Sequence, residues 1–212
     1  MEDQGIEVIL DKKTIGEEVD FSEYSFIFVG SGTEKNLDVV LKDLQKRKEE
    51  LNNYIKSEKI ILMTGNSFEM LGKKIDNEEC LGIFDFETTR EKDRETSDVI
   101  YKSKILNKSI VGFVNKMTKI YHNMNPFFEV EFGIGENENN DYEGVKYKNL
   151  YGTHVSGPIL VRNPEFLKLI VDTICKQNKI KTKDIKYENE EEGYDLVLSE
   201  LRKRKEQNSK KN

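Results

Sequence analysis

Tryptophan is absent from this chain of 212 residues, and proline and cysteine are scarce, at three and two. The cysteines, Cys80 and Cys175, lie far apart and match no metal-ligand or redox spacing, so they read as reduced thiols, Cys175 on the apolar face of a helix. No motif implies a cofactor or a metal. No run approaches the roughly 20 apolar residues of a membrane span. Met1 is followed by acidic residues rather than by a basic-then-apolar signal pattern, and a cytoplasmic protein is expected. Positive charge is in deficit, 34 Lys and Arg against 40 Asp and Glu for a net charge of -6, which argues against a nucleic-acid binder. The basic run Arg202 to Lys205, with Lys210 and Lys211, reads as a solvated helix end.

What is present is a globular pattern. Charged residues make up 35% and hydrophobic residues 36%, and apolar runs recur along the whole chain, which excludes a disordered one. The length suits one domain, taken as residues 1–205 with a polar basic tail at 206–212. Ile6 to Leu10 alternates like a short strand, and Ser25 to Val29 is uniformly apolar like an interior parallel strand. Leu37, Val40, Leu41, Leu44 and Leu51 share one face of a helix expected over Asn36 to Lys56, and the apolar run Ile60 to Met63 follows. Strand, helix and strand with short links predict a parallel sheet. Strand candidates then crowd together at residues 80–88, 98–105, 109–116, 127–133, 143–149 and 150–155, separated by turn signals at Asn107, Asn123 to Pro126 and Gly135 to Asp141. Two helices close the chain. Pro164 to Cys175 has Asn163 as its expected N-cap, and Glu191 to Arg204 carries Tyr194, Leu196, Val197, Leu198 and Leu201.

The stretch Lys59 to Gly72, KIILMTGNSFEMLG, carries the chemistry. A buried strand, the tight turn Thr64-Gly65-Asn66 and a short helix from Ser67 to Leu71 form an elbow. Such an elbow lifts its turn residue above the strand ends, beside helix amides that can stabilise an anion, and a nucleophile often stands there. Here that residue is Gly65.

These residues resemble the elbow of class I glutamine amidotransferases of the CobB/CobQ type, in which a cysteine is followed by Gly-Gly, an aromatic, Gln, two aliphatics and Gly. EYSFIFVGSG, CLGIFDFET, IVGFVN and YEGVKYKNLYGTHVSGPILVRNPEF resemble other segments of that family, and Gly157 to Pro164 keeps its Gly-Pro-aliphatic-aliphatic-x-Arg-Asn-Pro signature. The resemblance implies an α/β fold, the flavodoxin-like three-layer class I amidotransferase fold. Within the family the chain is similar to the GatD type, glutaminase subunits that partner the Mur-ligase-like MurT in amidating the lipid II stem peptide during cell-wall synthesis. It therefore implies a MurT-like Mur ligase as partner and glutamine as ligand. It also implies a strand and a helix ahead of Gly5 to Val8 that this sequence does not contain. In their place it suggests a strand supplied by another chain, a rearranged sheet or a truncated reading frame.

Laid on the family's motifs, the nucleophile position is Gly65 and the general-base position is Ser156. Gly30 and Gly32 fall on the loop that offers an oxyanion amide, and Arg94 on the arginine that holds the glutamine carboxylate. Glycine cannot form a thioester, and a serine hydroxyl does not accept protons usefully near neutral pH, so the resemblance implies a fold that has lost glutaminase activity. His154 shares a strand face with Ser156 but lies about 6–7 Å further along, too far to replace the base without rebuilding. Two alternatives stand beside that reading. One is a working glutaminase with relocated chemistry, using Thr64, Ser67 or Cys80 with His154 or His122. The other is a flavodoxin-like module whose Gly30 to Gly32 loop cradles a ligand. The bland expectations are a turn histidine at His122 and a capping or solvent-facing Glu69.

Overall fold

Phe26–Val29 (β1) and Ile60–Thr64 (β2) pair in parallel, Phe26 opposite Ile60 and Val29 opposite Met63. They do so in a computed structural model that describes residues 1–2, 5–122, 124–139, 141–183 and 187–210. Asn123 and Asn140, in two of the expected turns, and the end of the expected tail at 211–212 lie outside the described residues. Between the two strands runs a helical crossover in two pieces, Glu34–Lys46 (α1) and Lys48–Lys56 (α2), where one helix was expected. The break falls at Arg47, whose guanidinium bonds the carbonyls of Glu17 and Val19 and ties the crossover to the N-terminal segment. α1 is capped by the Thr33 hydroxyl, which accepts from the Asn36 amide, and it buries Leu37 and Leu41 against the elbow.

The elbow helix, Gly65–Leu71, is a 3-10 helix. Short antiparallel strands Lys74–Ile75 (β3) and Glu78–Glu79 (β4) follow it. Residues 80–84, expected as a strand, are irregular. Their amides serve the elbow helix instead: Leu81 donates to Met70 and Ile83 to Leu71, both at 2.9 Å, filling carbonyls that a helix end leaves open. The charged stretch that follows is itself strand, because Glu87–Ser103 (β5) forms one long arm antiparallel to Ile110–Tyr121 (β6), with an irregularity between Arg90 and Glu95. Charge did not prevent this, since residues 91–96 face solvent while Val99 to Tyr101 are buried.

Phe128–Phe132 (β7) and Tyr142–Glu143 (β8) extend that second sheet. Val145–Tyr147 (β9) and Leu150–Thr153 (β10) return to the first sheet, whose order is β1-β2-β10-β9, with β10 parallel to β2. Val155–Ser156 (β11) then joins β6, so the link at His154 passes the chain from one sheet to the other. Ile159–Arg162 (α3), Pro164–Gln177 (α4) and Glu188–Ser209 (α5) complete the fold. Residues 206–209, expected in the tail, continue α5. The basic run lies against the second sheet, with Arg202 3.2 Å from Glu131 and Arg204 3.0 Å from Asp98. No helix among the described residues is long and apolar enough to cross a membrane.

Two further expectations fail for identifiable reasons. Ile6 to Leu10 forms no ladder: the Ile6 amide turns back to the Met1 carbonyl, and Asp11 accepts from the Tyr24 hydroxyl at 2.6 Å. Asn163 precedes α4 as expected but makes no side-chain cap bond. Its buried amide instead clamps β6, accepting from the Val111 amide at 2.8 Å and donating to the Val111 carbonyl at 2.9 Å. Asn163→Ala would take this partner from the buried Val111 amide and carbonyl, an expected loss of about 1–3 kcal/mol. A lower urea midpoint with unchanged slope checks it.

Candidate functional site

The elbow helix, the loop after β1 and the start of α1 form one wall of a cleft of about 630 Å³, and β5, β6 and Ser156 form the other. Gly32, Gly65, Arg94 and Ser156 all line it. Gly30 does not; it lies in a separate cleft on the outer side of β1. Thr64, Ser67, Cys80, His122 and His154 are absent from the lining.

Gly65 keeps the strained geometry of an elbow, with φ at 62° in the left-handed region. Its missing side chain is structurally committed, because a Cβ built there would stand 2.4 Å from Cβ of Ser31. Beside it, the Asn66 side chain grips the opposite loop. The Gly32 amide donates to Asn66 Oδ1 at 3.1 Å, and Asn66 Nδ2 donates to the Gly32 carbonyl at 2.9 Å. The Gly32 amide, one of the two backbone donors assigned to an oxyanion, is therefore already occupied. Across the cleft the Ser156 hydroxyl donates to the Phe113 carbonyl at 3.0 Å. Arg94 remains in the cleft, held by Asn115 at 2.8 Å and Glu34 at 3.2 Å.

The residues proposed for relocated chemistry are locked away. The Ser67 hydroxyl is buried between the carbonyls of Val29 and Thr64, each at 2.8 Å. Thr64 is buried within the β2–β10 ladder. Burial pushes the Cys80 thiol up to about 12, so no thiolate is available near neutral pH.

Glu69, expected to cap or face solvent, is buried at the base of the cleft. Its Oε1 accepts from the Thr118 hydroxyl at 2.6 Å and lies 3.3 Å from Nε2 of His154. Nδ1 of that buried ring lies 3.3 Å from Oε1 of Glu143, with no well-aligned hydrogen bond. Glu143 is held in turn by the Thr153 hydroxyl at 2.6 Å and the His154 amide at 2.7 Å. An imidazole between two carboxylates thus ties the elbow helix, β8 and the β10–β11 link together. Burial opposes its charge, yet Glu143 and Glu69 outweigh burial and raise its pKa above the ordinary value. His122, read as a turn residue, does accept from the Met124 amide at 3.1 Å, but its other nitrogen meets the buried Glu136 at 2.8 Å.

A strand elbow facing a cleft with a paired segment opposite it is the arrangement of a glutamine amidotransferase-type site, and among the described residues no cysteine or histidine lines this cleft. The chain belongs to the family of CobB/CobQ-like glutamine amidotransferase domains, whose profile matches residues 3–164. It is 33% identical over 181 residues to the lipid II isoglutaminyl synthase (glutamine-hydrolyzing) subunit GatD of Staphylococcus aureus strain N315, covering 83% of this chain and 74% of that protein. The corresponding subunit of Streptococcus pneumoniae strain R6 is 27% identical over 183 residues, covering 82% of this chain and 70% of that one. Among solved structures, PurLQS from Thermotoga maritima superposes with a TM-score of 0.56 at 13% identity, covering 77% of this chain and 84% of that one. A glutamine amidotransferase superposes at 0.54 with 13% identity, covering 74% and 85%. These likenesses establish the class I amidotransferase fold.

Asn66 was within reach of the sequence, since it stands where the family has the first glycine after its cysteine. The Glu69–His154–Glu143 network was not. Its members lie on three elements, and nothing in a single sequence marks Glu143 as a partner of the other two.

Proposed function

We propose that this chain is a GatD-like amidotransferase-fold subunit of lipid II amidation that no longer hydrolyses glutamine and acts in the cytoplasm beside a MurT-like Mur ligase. The observation that carries it is the elbow: Gly65 keeps the nucleophile's backbone conformation while Ser31 packs where its Cβ would stand. The occupied Gly32 amide and the serine at position 156 support the same reading, and the similarity to the two GatD subunits supports the pathway. Arg94 still faces the cleft, so glutamine can bind there as a ligand that is not turned over. Supplied with a MurT-like ligase and lipid II, the protein is expected to support amidation from ammonium salts but not from glutamine. Amidation driven by glutamine alone would overturn the reading.

A further inference from the structure

The base of the elbow cleft holds more negative charge than its neighbours neutralise. Glu69 lines the cleft yet is only 1% exposed, and its contacts with the Thr118 hydroxyl and with Nε2 of His154 both run through Oε1. Among the described residues Oε2 of this carboxylate has no hydrogen bond. The same imidazole also serves Glu143, so two buried carboxylates share a single cation. Lys116, which lines the same cleft, does not make up the difference. Its ammonium donates to the carbonyls of Gly135 and Glu136, each at 2.7 Å, and pairs with Glu95 at 3.6 Å. With the buried Glu136 and its neighbour His122 included, the carboxylates of Glu69, Glu95, Glu136 and Glu143 outnumber the cations His122, Lys116 and His154 even when both rings are charged. Arg90 and Arg94 are paired with Asp38 and Glu34. An uncompensated buried charge is costly, and a bound cation relieves it.

Two hydroxyls of the lining suit a donor as well. Thr118 gives its proton to Glu69 and Ser156 gives its proton to the Phe113 carbonyl, so each has only lone pairs to offer a ligand. The Gly32 amide is taken by Asn66, so the carbonyl of an uncharged amide loses a donor. We infer that the cleft binds a primary ammonium group at the end of a slender chain, with Glu69 as its counter-ion and the residue that sets the preference for positive charge. At about 630 Å³ the cleft has room for such a chain. The inference goes beyond the proposed function and is separable from it, since binding of an amine is read without ligase, lipid II or turnover.

Titration calorimetry with 5-aminovalerate, glutaramate and valerate tests it, because the three share a carboxylate and a carbon chain and differ in ending with an ammonium, an amide or a methyl group. 5-Aminovalerate should bind the unaltered protein roughly tenfold or more tighter than either of the others, the ordinary contribution of a hydrogen bond to a charged group. Glu69→Gln removes the charge while keeping an acceptor for Thr118, so it should bring 5-aminovalerate down to the affinity of glutaramate. Equal affinity of the unaltered protein for all three, or a preference for 5-aminovalerate that survives Glu69→Gln, would overturn the inference.

Discussion

Purified protein given millimolar glutamine is expected to release ammonia no faster than a heat-inactivated control, and Gly65→Cys alone should not change that. The substitution supplies sulfur but meets three obstacles. The new Cβ collides with Ser31 on a backbone of positive φ, no imidazole stands at position 156 to take the thiol proton, and the Gly32 amide is bonded to Asn66. Because groups that act as a unit fail together, Gly65→Cys/Ser156→His should also remain near background. Activity is expected to emerge only when Ser31→Gly makes room for the side chain. Adding Asn66→Gly should then raise the rate by roughly 10²–10³, the ordinary worth of one oxyanion donor. The four-step series, read as ammonia release and as trapping of the introduced thiol by a glutamine-analogue electrophile, tests the order of these obstacles. Turnover by the unaltered protein, or full activity from Gly65→Cys alone, would refute it.

The elbow was legible because its parts are local. Four apolar residues, a turn glycine and a short helix are contiguous, and their periodicity reports burial directly. The parallel pairing of β1 with β2 followed from the same locality, as did Pro164 at the start of α4. The second sheet was only half legible. Alternation picked out β7 and the first half of β6, but it missed the outer half of β5, where residues 91–96 are exposed and the pairing with β6 shifts register between Arg90 and Glu95. Residues 80–84 misled in the opposite way: apolar side chains predict burial, and burial came without a ladder because their amides close the elbow helix. At the site, Gly32, Gly65, Arg94 and Ser156, brought together by resemblance across long gaps in sequence, line one cleft, and Gly30 lines another. The contacts of Ser31 with Gly65 and of Asn66 with Gly32 join loops more than thirty positions apart, and the pairing across that distance is what no local pattern encodes.

The buried histidine sets the second large expectation. Replacing His154 with leucine would leave Glu69 and Glu143 buried on either side of an apolar group, each stripped of its cationic neighbour. Breaking a buried ionic group in this way costs about 3–5 kcal/mol. For a domain of this size that is a fall in melting temperature of roughly 6–20 °C. The pH dependence distinguishes loss of the charge from loss of packing against Phe68, whose ring lies 4.5 Å from the imidazole. With its pKa raised in the folded protein, His154 binds its proton more tightly there than in the unfolded chain, where the value is about 6.5. Its contribution is therefore complete below about pH 6.5 and is lost as pH rises through the folded value. The difference in unfolding free energy between parent and His154→Leu should be largest near pH 6 and shrink as pH rises above it, as measured by urea titration at each pH. Glu69→Gln removes one of the two carboxylates while keeping an acceptor for Thr118, so the same histidine substitution should cost less in that background. A cost that neither changes with pH nor couples to Glu69 would mean that the ring only fills space between the elbow helix and the strands behind it.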